Sequence, residues 1–492
     1  MRSELFDRKK AEKGTSNRIS DDSEHTDILI VGSGCSGLYC ALQLPQDKQI
    51  LIITKSHVED SDSFLAQGGM CMLRDESDYE SYFEDTLRAG HYENDRRSVE
   101  IMIRSSQDVV KDLLEYGADF QRNADGSLAF TREGAHSEKR ILFHEDVTGK
   151  EITSKLLEQV RKLKNVRIVE QTTMLDIISD NVTCFGAVVE YSDGTIGKVL
   201  AERTVLATGG IGGLYPHSTN FRHLTGDALA VALRHKVELE NIDYIQIHPT
   251  TLYAEESRSF LISESVRGEG AKLYDKNGNR FVDELLPRDL LTEAIYKQME
   301  KDGTRFVWED LRTIPSDELK THFPNIIEHC REMGYDVTRE CIPVVPAQHY
   351  FMGGVKVDYD SKTSMKALYA VGETACNGVH GKNRLASNSL LESLVFAGRA
   401  AKHIADTWEQ GYKFEGDLNE LIDTKAEHQS RKQVALQNEI QEKTLEDTKR
   451  KLECIMDAVN LQDYKDAQAL ELAYQEKVRE EIARTKQRKD IG

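Results

Sequence analysis

The chain has 492 residues, 39% of them hydrophobic and 30% charged, enough for two or three domains with cores of their own. Its net charge of −20 argues against nucleic acid or an anionic membrane surface as a partner. No apolar run reaches the roughly 18–20 residues that span a bilayer, the polar stretch 1–24 lacks the apolar segment of a signal peptide, and the eight cysteines show no CxxC spacing. The expectation is a cytoplasmic protein with reduced thiols, no membrane span, no disulfide frame and no metal site.

Residues 1–25 read as a flexible polar tail. Residues 26–42 read as strand, glycine turn and helix, and Gly32, Gly34 and Gly37 carry the dinucleotide spacing. Gly32 permits the tight turn, Gly34 lets the backbone approach a pyrophosphate, and Gly37 lets helix and strand pack closely. A second strand follows over 49–54. It ends in Thr54-Lys55, not in the acid that usually grips a ribose, so ribose recognition is arranged differently, with Lys55 near the phosphate or ribose. Residues 62–69 (Asp-Ser-Phe-Leu-Ala-Gln-Gly-Gly) make a poor helix and a poor strand. Alone they are a loop, or a place where backbone approaches a flat ligand.

Between 78 and 117, apolar residues at helical spacing (Val99, Met102, Ile103, Val109, Leu113, Leu114) read as packing. In the loop 130–137, Glu133 is either part of a solvated turn or a partner for a cation. From 150 to 205 come a helix and short strands over 166–170, 184–191 and 195–200, and 205–210 is a buried strand ending in a glycine pair. Asp227 opens a helix, as a capping acid or as a contact to a ligand hydroxyl. In Ile245-Gln246-Ile247-His248 the alternation puts Gln246 and His248 on one strand face. Ser263, Glu264 and Arg267 follow. Pro287 sets Arg288 at a helix start, where it pairs with Asp289 or Glu293 or serves a site. Residues 300–335 read as surface helices, and His349 precedes the pair Gly353-Gly354.

Residues 371–392 hold Gly372, Gly378 and Gly381, then Arg384, then a Ser/Asn cluster opening a helix over 389–408. A helix N-terminus holds anionic groups on its unpaired N–H groups, or the cluster is an ordinary cap. The tail from about 416, rich in Glu, Lys and Gln, keeps helical spacing at Leu445, Leu452, Ile455 and Val459. Taken together, His248, His349, Arg288, Arg384, Gln246 and Ser263 form a cationic, donor-rich set in an acidic protein. Two arginines and two histidines suit a small dicarboxylate, and beside a flavin such a site does hydride transfer at the carbon between the carboxylates.

Eight ordered motifs resemble the succinate dehydrogenase/fumarate reductase flavoprotein family over roughly 26–412. They are Gly32–Gly37, Ala66–Gly69, Ala207–Gly210, His248–Thr250, Arg267–Gly270, Pro287–Asp289, His349–Gly354 and Asn383–Glu392. The resemblance implies an α/β fold: a Rossmann-like FAD-binding domain over 26–240 and 349–412, an inserted α+β capping domain over 241–348, and a C-terminal helical region over 413–492. Within the family the likeness is greatest to the aspartate-oxidising branch. No histidine stands at 62 or 63, so FAD is expected to be non-covalent. Residues 131–137 match that branch, where the Glu orients a substrate α-ammonium that succinate lacks. Residues 384–392 carry the branch's form of the flavin-contacting helix start.

On that resemblance, FAD lies along Gly32, Ser33, Gly34, Cys35, Ser36 and Gly37, with Lys55, then Asp62, Ser63, Phe64, Leu65, Ala66, Gln67, Gly68 and Gly69, and with Asp227, Glu373, Ser389 and Leu390. His248, His349 and Arg384 hold two carboxylates with help from Gln246 and Ser263, Arg288 moves the proton, and Glu133 faces the ammonium. The implied reaction is oxidation of L-aspartate to iminoaspartate, with oxygen or fumarate reoxidising FAD. Quinolinate synthase would stand downstream, at the start of de novo NAD formation. Ser263 departs from the family's usual Thr, the loop before Pro287 is short, and the tail lacks the family's Trp-containing helix motif. The rivals are a soluble fumarate reductase or succinate dehydrogenase flavoprotein subunit, and a flavin-binding scaffold without turnover.

Overall fold

The structure is a computed structural model of the chain and describes residues 23–215, 217–254 and 258–414. The expected tail up to residue 22, and the expected helical region from 415 on, lie outside the described residues. Residues 23–25, read as tail, belong instead to the first strand.

Strand β1 (Ser23–Val31) leads through the glycine turn into α1 (Cys35–Gln43), and β2 (Ile50–Ile53) lies beside β1 in parallel, Val31 opposite Ile53. β3 (Val166–Val169) extends the sheet beyond β2. β4 (Thr173–Ser179), a strand the sequence pattern did not predict, and β5 (Cys184–Glu190) form a hairpin that joins the first half of β6 (Ile196–Leu206). The rest of β6 runs parallel to β1. Continuous apolar runs such as Ile28–Val31 and Ile50–Ile53 are fully buried, as strands covered on both faces must be. Helix α2 (Asp227–Arg234) packs on the sheet, its Ala228, Val231 and Ala232 sharing a core with Leu29, Leu51 and Met174.

A second, antiparallel sheet follows. Its strands are β7 (Ile245–Leu252), β8 (Lys272–Tyr274), β9 (Val307–Asp310) and β10 (Ile342–Phe351), in the order β7-β10-β9-β8. With α3 (Arg288–Asp302) and α4 (Pro324–Glu332) it closes a separate core that includes Ile262, Leu273, Leu291, Ile295, Ile326 and Val344. This body is the cap. The stretch 300–335 is therefore not only surface helix, since β9 lies in its middle. The expected junction at 348/349 falls inside β10, which pairs with β7 on both sides of it.

The chain then returns to the first sheet. β11 (Leu368–Ala370) pairs in parallel with the end of β6, Ala370 opposite Leu206, and α5 (Asn388–Asp406) packs on α1 through one core that joins Leu38 and Cys40 to Leu391 and Leu394. The region 78–117 is three helices, Tyr79–Ala89, Arg96–Arg104 and Ser106–Glu115. None of their apolar residues lines the cleft described next. No helix among the described residues is long and apolar enough to cross a membrane.

Candidate active site

A cleft of about 330 Å³ opens at the C-terminal ends of β1, β2 and β6 and is roofed by the cap. Parallel sheets place ligands at this edge because helix N-termini and loops converge there. Gly32 turns at φ +117°, and a Cβ on it would lie 2.0 Å from the carbonyl oxygen of Ala207. A Cβ on Gly37 would lie 2.2 Å from the carbonyl oxygen of Gly32. Both glycines exist for backbone crossings, and Gly37 does not line the cleft. Gly34 does, and the space its missing side chain leaves is bounded by Ser63 Oγ at 3.2 Å.

The side chain of Ser33 turns away from the cleft, donating to the Val58 carbonyl at 2.9 Å and to Thr54 Oγ1 at 3.1 Å. What Ser33 can offer a ligand is therefore main chain. The first N–H of α1, on Cys35, donates to Ser63 Oγ at 3.1 Å. Lys55 donates to Asp227 Oδ2, Thr225 Oγ1 and the His223 carbonyl at 2.8, 2.9 and 3.0 Å. The departure at the end of β2 thus has a physical account, since the cation at Lys55 draws the acid of α2 to the same rim.

Two half-buried acids sit deeper. Asp62 accepts the Phe221 N–H at 3.0 Å through one oxygen, and the other has no partner among the described residues. Burial pushes its carboxyl up to about 7. Glu373 accepts the Phe351 N–H at 3.0 Å. Burial, then the nearby Asp62, pushes it up to about 8. Gln67 Oε1 is also buried and unpartnered. Orphaned acceptors beside open main chain at Gly34 are what a ligand with hydroxyls and a pyrophosphate requires, and the residues fit FAD.

On the cap side, Arg288 is the first residue of α3. Its Nε donates to Glu264 Oε2 at 2.6 Å and its Nη1 to Gln246 Oε1 at 2.8 Å. The alternatives from the sequence, Asp289 and Glu293, do not pair with it; Asp289 accepts instead from Asn383 at 3.0 Å and pairs with His91 at 2.8 Å. Burial raises the Glu264 carboxyl, but Arg288 and Arg267 outweigh it and hold the group below its ordinary value, so Glu264 is ionised.

Gln246 spends its amide on protein. Nε2 donates to Asn383 Oδ1 at 2.7 Å and to the Arg384 carbonyl at 2.8 Å. It is 2% exposed and does not line the cleft, so this side chain ties the loop of Arg384 to Arg288. Arg384 stacks over the Tyr350 ring at 4.4 Å and donates to Ser389 Oγ at 3.0 Å. Its Nε is buried without a partner among the described residues. Burial, then Arg288, lowers its guanidinium to about 10, which leaves it charged.

The rings of His248 and His349 meet edge to face at 5.1 Å. Burial, then the arginine field, holds both well below the ordinary histidine value, so both are neutral. His248 Nδ1 lies 2.9 Å from the Thr250 carbonyl and 3.2 Å from the Thr250 N–H, and its Nε2 has no partner among the described residues. His349 Nδ1 lies 2.7 Å from Thr219 Oγ1. Ser263 caps the short helix Glu264–Gly268 through its hydroxyl. Glu133, 2% exposed, accepts from Ser265 Oγ at 2.6 Å and from Ser387 Oγ at 2.5 Å. Burial, then Glu264, raises its carboxyl. Ser387 precedes α5 in the left-handed region, at φ +60°. It also takes the Gly69 N–H at 3.1 Å, so one hydroxyl joins α5, the 62–69 segment and Glu133.

The structure brings every predicted site residue but Gly37 and Gln246 to the wall of one cleft. Sequence reasoning missed the part played by Glu264, the carboxylate on Arg288. It stood next to Ser263 and three residues before Arg267 without a separate signal. It also missed Thr219, Tyr350 and Ser387, whose positions follow from tertiary packing.

The chain matches a family model described as "FAD binding domain" over residues 27–390. It is 50% identical over 380 residues to an L-aspartate oxidase of Clostridium perfringens, covering 77% of this chain and 86% of that protein. Against an L-aspartate oxidase of Clostridium acetobutylicum it is 48% identical over 381 residues, covering 77% and 88%. Among solved structures it superposes on a quinol–fumarate reductase with menaquinol molecules at a TM-score of 0.77 and 30% identity, covering 81% of this chain and 74% of that one.

Proposed function

This chain belongs to the L-aspartate oxidase family, and we propose that His248, His349 and Arg384 grip the two carboxylates of its substrate while Glu133 takes the ammonium and Arg288 moves the proton. The protein is an FAD-dependent enzyme that oxidises L-aspartate to iminoaspartate. The function makes it a step of NAD biosynthesis, with oxygen or fumarate as acceptor. Bound FAD supplies the two-electron acceptor for the hydride leaving the α-carbon.

The observation that carries the residue assignment is the placement of Glu133. A dicarboxylate alone needs only the cationic wall. A buried carboxylate in that same cleft, held by two serine hydroxyls, suits a substrate that also carries a cation. An arriving ammonium favours the ionised form of Glu133 against the burial that raises it. The neutral histidines act as donors. The Thr250 carbonyl, 2.9 Å from His248 Nδ1, can only accept and favours the proton on Nδ1; a substrate carboxylate at Nε2 selects the other tautomer, in which Nδ1 takes the Thr250 N–H at 3.2 Å and Nε2–H donates, and His349 does the same with Nδ1 on Thr219 Oγ1.

Arginine is a poor base on its own. Here Glu264 shares the Nε–H of Arg288, so the guanidinium can release that proton to Glu264 as it receives one from the substrate. Gln246 fixes the fork so that the receiving nitrogens keep their aim. Burial of the whole group excludes the water that would screen these charges.

The cap carries Arg288, His248 and Ser263, and the sheet domain carries the cofactor residues. FAD is held without a covalent bond, since no histidine occupies 62–69. Iminoaspartate would pass to quinolinate synthase. No disulfide joins the seven described cysteines, which supports the cytoplasm as the compartment.

The test is anaerobic bleaching of the yellow protein by L-aspartate and by succinate, added separately. Bleaching by aspartate at low concentration with little from succinate is expected. Equal bleaching by both would remove Glu133 from the specificity role.

A further inference from the structure

The substrate wall is closed. His248 is 0% and Arg384 4% exposed, so a dicarboxylate reaches them only if the cap parts from the sheet domain. Several contacts across that seam pass through the reacting groups, among them Gln246 to Asn383 and Ser265 to Glu133. Others do not, such as His91 to Asp289 and the Ala135 N–H to the Leu285 carbonyl. One of these others, at the edge of the cleft, caps a helix. Helix α4 of the cap begins with Pro324, and the residue before it, Phe323, has no side chain able to cap it. The N–H groups of Asn325 and Ile326 are instead taken by Asp146, from the sheet domain, at 3.2 and 2.6 Å, and the Asn325 side chain donates to the same carboxylate at 2.7 Å. Asp146 is 1% exposed, and a carboxylate at a helix N-terminus is favoured by charge as well as by hydrogen bonding.

The residues just after Asp146 hold the opposite wall of the cleft. Thr148 Oγ1 donates to the Gly68 carbonyl at 2.5 Å and the Gly149 N–H to the Ala66 carbonyl at 2.8 Å. A Cβ on Gly149 would lie 2.1 Å from the Ser63 carbonyl oxygen. A four-residue stretch therefore joins the segment 62–69 to the N-terminus of a cap helix.

We propose that Asp146 is a tie that helps hold the cap closed over the loaded site, a positioning residue that caps α4 from across the seam. The proposal rests on the reading of His248, His349 and Arg384 as the carboxylate grip only for its effect on substrate. Its effect on cofactor retention is independent of that reading. When the closed state is less populated, apparent affinity falls by the lost fraction while the assembled site turns over as before.

The test uses the FAD-loaded enzyme. Asp146→Ala should raise KM for L-aspartate roughly 2- to 30-fold, the range spanned by loss of a helix cap, with kcat retained. FAD should dissociate faster, read by the recovery of flavin fluorescence, and the Ile326 amide should exchange its hydrogen faster. Asp146→Asn, which keeps one acceptor, should move the same quantities less, and stands in if the alanine variant does not fold. The decisive variant is Asp146→Ala with Asn325→Asp, which returns an acid to the first turn of α4 from the cap's own side. Recovery of Tm with KM and FAD release still raised supports a tie across the seam. Recovery of KM and FAD release to the wild-type values would reduce Asp146 to a helix cap and overturn the proposal. Unchanged FAD release in Asp146→Ala, or a collapse of kcat, would overturn it as well.

Discussion

Where the cleft meets the parallel sheet, main chain does the holding; where it meets the cap, side chains do. The glycine turn places Gly32 and Gly37 so tightly that a Cβ would fall about 2 Å from carbonyl oxygens, and its ligand surface is backbone. The substrate wall draws Glu133, His248, Glu264, Arg288, His349 and Arg384 from separate stretches and fixes each one by another side chain or carbonyl. A wall made of backbone is inseparable from the fold. A wall made of paired side chains can be altered residue by residue while the fold stands. The cofactor side should therefore fail together with stability, and the substrate side without it.

The largest effect expected is at Arg288. Arg288→Leu should lower both aspartate oxidation and fumarate reduction by roughly 10³-fold or more, within the range for loss of a proton-transferring group, while FAD stays bound and Tm falls little. Steady-state rates in both directions, with the flavin spectrum as the binding control, check it. Substantial remaining turnover would take proton transfer away from Arg288.

Gly32→Ala should do the reverse. The positive φ and the Ala207 carbonyl leave no place for the methyl, and such strain costs about 1–3 kcal/mol before any displacement of the turn. FAD content after purification and Tm should fall together. A variant that kept full FAD and full stability would break the comparison on the cofactor side.

Glu133→Gln sharpens it on the other side. A charge-assisted contact contributes about 1.5–3 kcal/mol, so kcat/KM for L-aspartate should fall roughly 10- to 100-fold, with fumarate reduction largely spared. Equal loss of both would make Glu133 a prop for Ser265 and Ser387.

The smallest effect is a slope in pH. Burial first holds Asp62 and Glu373 up at about 7 and about 8, against roughly 4 in an unfolded chain. As pH rises through about 4 the unfolded chain ionises and the folded one does not, so stability from the neutral form is lost progressively until pH 7 to 8. The Tm of the FAD-free protein should fall between pH 5 and 8. Asp62→Asn with Glu373→Gln should flatten that fall without abolishing it, because burial likewise raises Glu309 and Glu392 to about 7.

The same division explains what could be read in advance. The glycine spacing, the apolar strands on either side of it and the 62–69 run are local, because backbone geometry is dictated by neighbours in the chain. His248 beside Pro249, and Arg288 after Pro287, were visible as unusual residues at element ends. Their partners were not. Glu264 lies 24 positions from Arg288 and Thr219 lies 130 from His349, and no spacing rule links them. Gln246 was expected to touch substrate because it shares a strand face with His248. It does share that face, and its amide is consumed by Arg288, Asn383 and Arg384. Strand β4 escaped notice because Thr173–Ser179 mixes Asp176 into an otherwise apolar run.

The pairing of β11 with the end of β6, and of α5 with α1, has a consequence in time. The nucleotide turn at 32–37 leaves the ribosome early, whereas its flanking strand at 368–370 and the helix that packs on α1 come more than 330 residues later. At about 5–20 residues per second, the nascent chain carries an unfinished turn for roughly 20–70 seconds. Ser387 lies in that late segment and fastens Gly69 and Glu133, so cofactor loading and substrate selectivity both wait on the same late-made stretch.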